Sequence, residues 1–109
     1  MGTHCLGPFV LTTLLQDAMR HTAKLESSKP YSVRVVFVTS LLQLGAPAGG
    51  IQFDGQGTPK VLKAFPNYME SKVGSAWLAY EYSKRLDKDG ILCVVSLATE
   101  WVLKCSWVT

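Results

Sequence analysis

The chain has 109 residues, enough for one domain of modest size. Its apolar fraction of 48% excludes an intrinsically disordered chain. The formal charge is only +3, and Lys84-Arg85 and Lys88 are interleaved with Asp87 and Asp89, which excludes an electrostatic footprint for nucleic acid and a polybasic membrane patch.

The apolar stretch from Cys5 to Leu15 is too short to span a bilayer. It lacks the preceding positive charge and the small-residue cleavage site of a signal peptide. An amphipathic internal helix is expected instead, opening at Gly7-Pro8, with Pro8 at a first helical position where a missing N–H does no harm. Leu6, Phe9, Val10, Leu14 and Ala18 recur at helical spacing, and Leu11 and Leu15 widen the stripe. The helix is expected to fade between His21 and Lys24, ahead of the polar break Glu26-Ser27-Ser28-Lys29-Pro30.

Ser32 to Thr39 is rich in β-branched residues and almost continuously apolar, the pattern of a strand buried on both faces in a parallel sheet. From Leu41 to Phe65 the pattern dissolves into Gly, Pro, Gln and Asp, and connections this long are often functional. Gly55-Gln56-Gly57 follows no strand and opens no helix, so it reads as loop rather than as a phosphate cradle. Pro66 to Leu86 is rich in good helix formers, and Gly90 supplies its stop. Ile91 to Leu97 repeats the buried-strand signature. Strand, helix, strand in that order is a βαβ unit, whose crossover is expected to be right-handed. The tail, Ala98 to Thr109, holds Trp101 and Trp107 and has no clear period. Cys5, Cys93 and Cys105 are an odd set without metal-type spacing, and a reduced, cytoplasmic setting is the default they imply.

Chemistry concentrates in Asn67-Tyr68-Met69-Glu70-Ser71-Lys72, where a phenol and an amine stand four positions apart on one helix face. A tyrosine ordinarily ionises near pH 10, and a neighbouring ammonium favours its phenolate. Such a pair can exchange a proton with a carbonyl or an alcohol. Tyr80-Glu81-Tyr82-Ser83-Lys84 repeats the spacing in mid-helix, where Tyr80 is expected to be a packing residue.

The ordered set of apolar helix, strand ending in Thr39-Ser40, long loop, Tyr68-to-Lys72 helix and buried strand resembles the C-terminal, catalytic half of a short-chain dehydrogenase/reductase. It looks closest to the retinol-dehydrogenase-like branch, over about residues 2 to 97. The stretches that carry the resemblance are Gly2-Thr3-His4-Cys5-Leu6-Gly7-Pro8-Phe9, Arg34-Val35-Val36-Phe37-Val38-Thr39-Ser40, Tyr68-Met69-Glu70-Ser71-Lys72-Val73-Gly74 and Asp89-Gly90-Ile91.

The resemblance implies an α/β fold: a partial Rossmann-like, doubly wound arrangement of helix, strand, helix and strand with a short parallel sheet. The N-terminal nucleotide-binding half would be absent from a single partial domain, residues 1 to 109, of which 98 to 109 is a divergent tail. Tyr68 would be the general acid/base. Lys72 would tune Tyr68 and contact the nicotinamide ribose, and Ser40 would orient the reacting carbonyl. The cofactor would be NAD or NADP, and the substrate a small carbonyl or alcohol. The family has an asparagine on the first helix that helps hold the lysine through water. His4 takes that place here, and a surface or partly buried histidine is its plainer reading.

No Gly-rich strand-turn-helix occurs in this sequence, and Ala98-Thr99-Glu100 stand where the family shows an Asn-Pro-Gly-like turn. The expected form is therefore truncated and inactive alone, with one sheet face left bare. It would associate as a homo- or hetero-oligomer through its two helices, with the alternative of a non-catalytic fragment pairing with a full-length relative.

Overall fold

The structure, a computed structural model, describes residues 1–27 and 29–97 and the short strand Val102–Leu103. The chain runs from a π-helical turn, Gly2–Leu6, directly into helix α1 (Gly7–Leu25), then strand β1 (Arg34–Thr39) and a 3-10 turn at Leu41–Gly45. Helix α2 (Ala64–Leu86) follows, then a 3-10 turn at Asp87–Asp89, strand β2 (Leu92–Leu97) and β3 (Val102–Leu103). The sheet order is β1-β2-β3. β1 and β2 pair in parallel from Arg34↔Leu92 to Thr39↔Leu97, and β3 pairs antiparallel with β2. The fold is thus α/β, with α2 as the crossover between parallel strands. β3 was not anticipated from the tail, most of which lies outside the described residues.

α2 starts two residues before the expected Pro66, which sits at its third position, where a helix N–H has no intrahelical partner to lose. Its buried residues are Glu70, Ser71, Gly74, Ser75, Ala79, Tyr82 and Leu86, and the run Ser71, Ser75, Ala79, Tyr82, Leu86 keeps spacings of three and four. Ala79, Tyr82 and Leu86 meet Phe37 of β1 and Ile91, Cys93 and Val95 in the main core. Leu86 and Ile91 are almost wholly removed from water, and full burial of one such side chain contributes roughly 1.5–3 kcal/mol. The Tyr82 ring stacks on Phe37 with centroids 5.9 Å apart. Its hydroxyl donates to the Phe9 carbonyl at 3.1 Å and lies 2.7 Å from Thr13 Oγ1, which ties α1 to α2. Gly90 closes the helical segment with φ +71, a left-handed value that suits glycine.

Two expectations are corrected. β1 is not buried on both faces: Phe37 and Thr39 are covered, whereas Val36 and Val38 are each more than half exposed. α2 covers one side of this edge strand, and no described element covers the other. The apolar stripe of α1 also does not face the core. Leu6, Phe9, Val10 and Leu14 are 63%, 47%, 51% and 76% exposed. Thr12 is the buried residue of α1, and Met19 and Ala23 are what it contributes to the core margin. The helix also runs to Leu25, past its expected fade.

The Gly2–Leu6 turn reaches α2 at Gly74, where the thiol of Cys5 occupies the space a side chain would need. Gly74→Val is expected to lower the free energy of unfolding by about 1–3 kcal/mol, and Cys5→Ala in the same chain should recover part of that. Gly55→Ala, in open space, should change little. Chemical denaturation of the single and double variants measures the coupling.

Candidate functional site

The long connection is more ordered than its composition suggested. Phe53 and Pro59 form an isolated bridge, and Asp54 Oδ1 accepts from the N–H groups of Gln56 (2.8 Å) and Thr58 (2.9 Å). Gly57 takes φ +78 in that turn. Asp54 thus already occupies amides that a phosphate would use, in keeping with a loop at Gly55-Gln56-Gly57.

Thr39, fully buried at the end of β1, donates its hydroxyl to the backbone carbonyl of Lys72 at 2.8 Å. This brings the strand end to the N-terminal part of α2. Ser40, one residue on, caps the Leu41–Gly45 turn by accepting from Leu42 N–H at 3.2 Å. Its own hydroxyl proton is left to donate elsewhere. Among the described residues Ser40 makes no hydrogen bond to Tyr68 or Lys72.

Tyr68 and Lys72 do come together, with the ammonium 5.7 Å from the phenol ring centroid. The Lys72 ammonium also donates to the Val38 carbonyl at 3.3 Å. Leu92 N–H bonds the Val33 carbonyl, so the alternation of a parallel ladder turns the carbonyls of Arg34, Val36 and Val38 to the open edge of β1. Lys72 therefore satisfies an edge carbonyl and has further protons to donate. It lines a groove of about 800 Å³ with Val36 and Val38 of β1, Leu11 and Leu15 of α1, and His4.

The second Tyr/Lys pair lies elsewhere. Tyr80 is 46% exposed, not packed in the core as expected. Lys84 lies 4.0 Å over its ring centroid and ion-pairs with Glu81 at 2.9 Å. That is a solvated helix surface.

Three polar residues that the sequence did not single out hold the site. The buried Ser75 hydroxyl donates at 2.9 Å to the His4 carbonyl, in the π-helical turn ahead of Pro8. Ser71 is buried; its hydroxyl donates to the Tyr68 carbonyl at 2.7 Å and meets His4 Nδ1 at 2.8 Å. Glu70 is fully buried, with Oε2 accepting from Gln52 N–H at 3.3 Å and Oε1 unpaired among the described residues. It anchors the long loop to α2. A small residue on a helix face is ordinarily read as packing, which is why Ser71 and Ser75 gave no signal. The His4 ring stands edge-on to Tyr68, with centroids 5.6 Å apart and planes at 80°. Burial, and then the charge of Lys72, push the His4 pKa below its ordinary 6.5. Burial pushes the Cys5 thiol up. No group of three or more potential metal ligands exists among the described residues, and no helix there is long and apolar enough to cross a membrane.

Comparison with known proteins bears on what this arrangement is. The chain is 37% identical over 95 residues to a short-chain dehydrogenase/reductase of Pestalotiopsis fici, covering 86% of this chain and 28% of that protein. It is 38% identical over 93 residues to an uncharacterized oxidoreductase of Schizosaccharomyces pombe, covering 84% of this chain and 27% of that protein. A short-chain dehydrogenase/reductase of Phomopsis amygdali is 32% identical over 114 residues, covering 99% of this chain and 34% of that protein. The chain thus spans about a third or less of the length of these relatives. No protein-family profile and no solved structure matches it.

The lowered pKa of His4 sets a sign for stability against pH. As pH falls through 6.5 the unfolded chain takes up this proton before the folded one. The stabilisation carried by the neutral ring is full above 6.5 and is lost as pH falls towards the lower folded-state value. Wild type minus His4→Asn, followed by denaturant unfolding across that window, should show stability declining on acidification.

Proposed function

With the short-chain dehydrogenase/reductase family supported by these relatives, we propose that the chain carries the proton-transfer part of an NAD- or NADP-dependent oxidoreductase site. The reaction is the interconversion of a small carbonyl compound and its alcohol. Tyr68 exchanges a proton with the substrate oxygen. Lys72 stabilises charge on the phenolate oxygen as that proton leaves, and hydrogen-bonds the nicotinamide ribose. Ser40, with an unspent hydroxyl proton, holds the carbonyl oxygen in place. The observation that carries this reading is the convergence of Tyr68, Lys72 and the end of β1.

The chain's residues suit only one end of the dinucleotide. Lys72 has ammonium protons to spare for a ribose, whereas no Gly-rich strand-turn-helix occurs in the sequence for the pyrophosphate. When bound, the reduced dinucleotide would supply the hydride for carbonyl reduction, and the oxidised form would take it up from the alcohol. The doubly wound fold, its retinol-dehydrogenase-like branch, a single partial domain over residues 1 to 109, inactivity of these residues alone and a cytoplasmic setting complete the proposal. A second reading, a fragment that associates through its helices, is favoured by exposed Leu6, Val10, Leu14 and Trp77. Light scattering of the purified chain tests it, and a stable monomer contradicts it.

The stretch of this chain that matches the Pestalotiopsis fici relative, placed into that protein in exchange for its counterpart, should give dinucleotide-dependent turnover. Tyr68→Phe should then lower kcat by about 10²–10⁴-fold, with NADH or NADPH binding retained. A folded, cofactor-binding chimera whose turnover ignores Tyr68→Phe refutes the assignment. The chain alone, titrated with NADH and NADPH, should show no saturable change in fluorescence.

A further inference from the structure

We propose that His4 is a positioning residue for Tyr68: a neutral imidazole, protonated on Nδ1, that braces the phenol ring edge-on and is tied through Ser71 to the backbone carbonyl of Tyr68 itself. The inference rests on the proton-transfer role of Tyr68.

The proton inventory fixes the tautomer. A serine hydroxyl has one proton to give. Ser71 gives it to the Tyr68 carbonyl at 2.7 Å. In its 2.8 Å contact with His4 Nδ1 the same oxygen must therefore accept, so Nδ1 carries the ring proton. In the neutral ring Nε2 is then an acceptor.

The ring's placement is held from both ends. Ser75 donates to the His4 carbonyl at 2.9 Å. Cys5, the next residue, reaches the Ser71 carbonyl at 3.4 Å and lies against Gly74. Backbone and side chain of one residue are thus locked onto a single turn of α2.

Among the described residues His4 is the aromatic partner of Tyr68, and Tyr68 makes no side-chain hydrogen bond. The Lys72 ammonium, 5.7 Å from the ring centroid, lies beside the same phenol. An edge-to-face arrangement sets the positive edge of one ring against the negative face of the other, which favours this one orientation of the phenol.

His4 faces Tyr68, Ser71, Lys72 and Ser75 of α2, and Cys5 of its own turn. β1 presents Val36 and Val38 to the same groove, with Arg34 on the same strand. The charges that act on the ring, the Lys72 ammonium and the N-terminal ammonium of Met1, are both cationic. Protonation of the imidazole sets two cations beside one phenol, and the brace loosens.

The full 109-residue chain, with carbon-13 in its tyrosine rings and nitrogen-15 in its histidines, tests this without turnover. Tyr68→Phe assigns the Tyr68 signal. His4 is expected as the Nδ1–H tautomer at neutral pH, and the Tyr68 signal should step at the His4 midpoint on acidification. His4→Phe should keep Tyr68 ordered but erase the step. His4→Asn should erase the step and release the ring, seen as a shift of its signal towards the unfolded-chain position. An Nε2–H tautomer, a step that persists without His4, or an unmoved Tyr68 signal in His4→Asn overturns the proposal. These readouts are separate from the chimera's turnover. A dispensable Tyr68 hydroxyl would remove the proton-transfer reading and leave the brace as measured.

Discussion

Thr39 is fully buried, and its hydroxyl spans 2.8 Å to the carbonyl of Lys72. A strand end and a helix that are thirty-odd residues apart in sequence meet at that bond. An intramolecular hydrogen bond contributes only about 0.5–1.5 kcal/mol net, and the same hydroxyl also lies 3.2 Å from Gln43 Oε1. The shorter bond to Lys72 adds to the packing that sets the register of α2 along β1. That register sets Lys72 beside the Val38 carbonyl and Tyr68 one helical turn earlier. Further along α2, the Tyr82–Phe37 stack and the buried Leu86 hold the same alignment. The candidate site stands where this alignment ends.

The same alignment leaves much apolar surface in water. β1 is an edge strand with Val36 and Val38 exposed, and α1 presents Leu6, Val10 and Leu14 outward. Exposed apolar surface of this kind marks a place of association, and an unpaired strand edge adds to it. Lys72 bears on the same edge, because its ammonium holds one of the outward carbonyls. A strand seated along β1 and the Lys72 ammonium would compete for that carbonyl. Completion of the sheet and the position of a proposed site lysine are thereby physically linked.

The sequence announced the order of elements because long β-branched runs and a helix-forming run bounded by Gly90 are strong local signals. It announced the Tyr68 and Lys72 pair because helical spacing alone places them on one face. It did not announce which side of α1 is used. Thr12, Met19 and Ala23 are poorer in apolar surface than the Leu6-Val10-Leu14 side, so periodicity pointed to the wrong face. The Gly2–Leu6 turn was hidden by Pro8, which reads as a helix start. The His4 carbonyl in that turn accepts from Ser75, some seventy residues away, and no local pattern carries that information. Ser71, Ser75 and Glu70 were silent for the same reason: their partners are distant in the chain. Tyr80 shows the reverse failure, where spacing repeats a motif and the fold places it in solvent.

Replacing Thr39 by Val, with Thr39→Ser as the comparison, reaches the register of strand end and helix most directly. Valine keeps the shape and loses the hydroxyl; serine keeps the hydroxyl. In nuclear Overhauser spectra, contacts from the Lys72 side chain to Val38 and to the Tyr68 ring should persist in Thr39→Ser and weaken or vanish in Thr39→Val. Contacts equally intact in both variants, or Tyr68 and Lys72 directed apart in the wild-type chain, would contradict it.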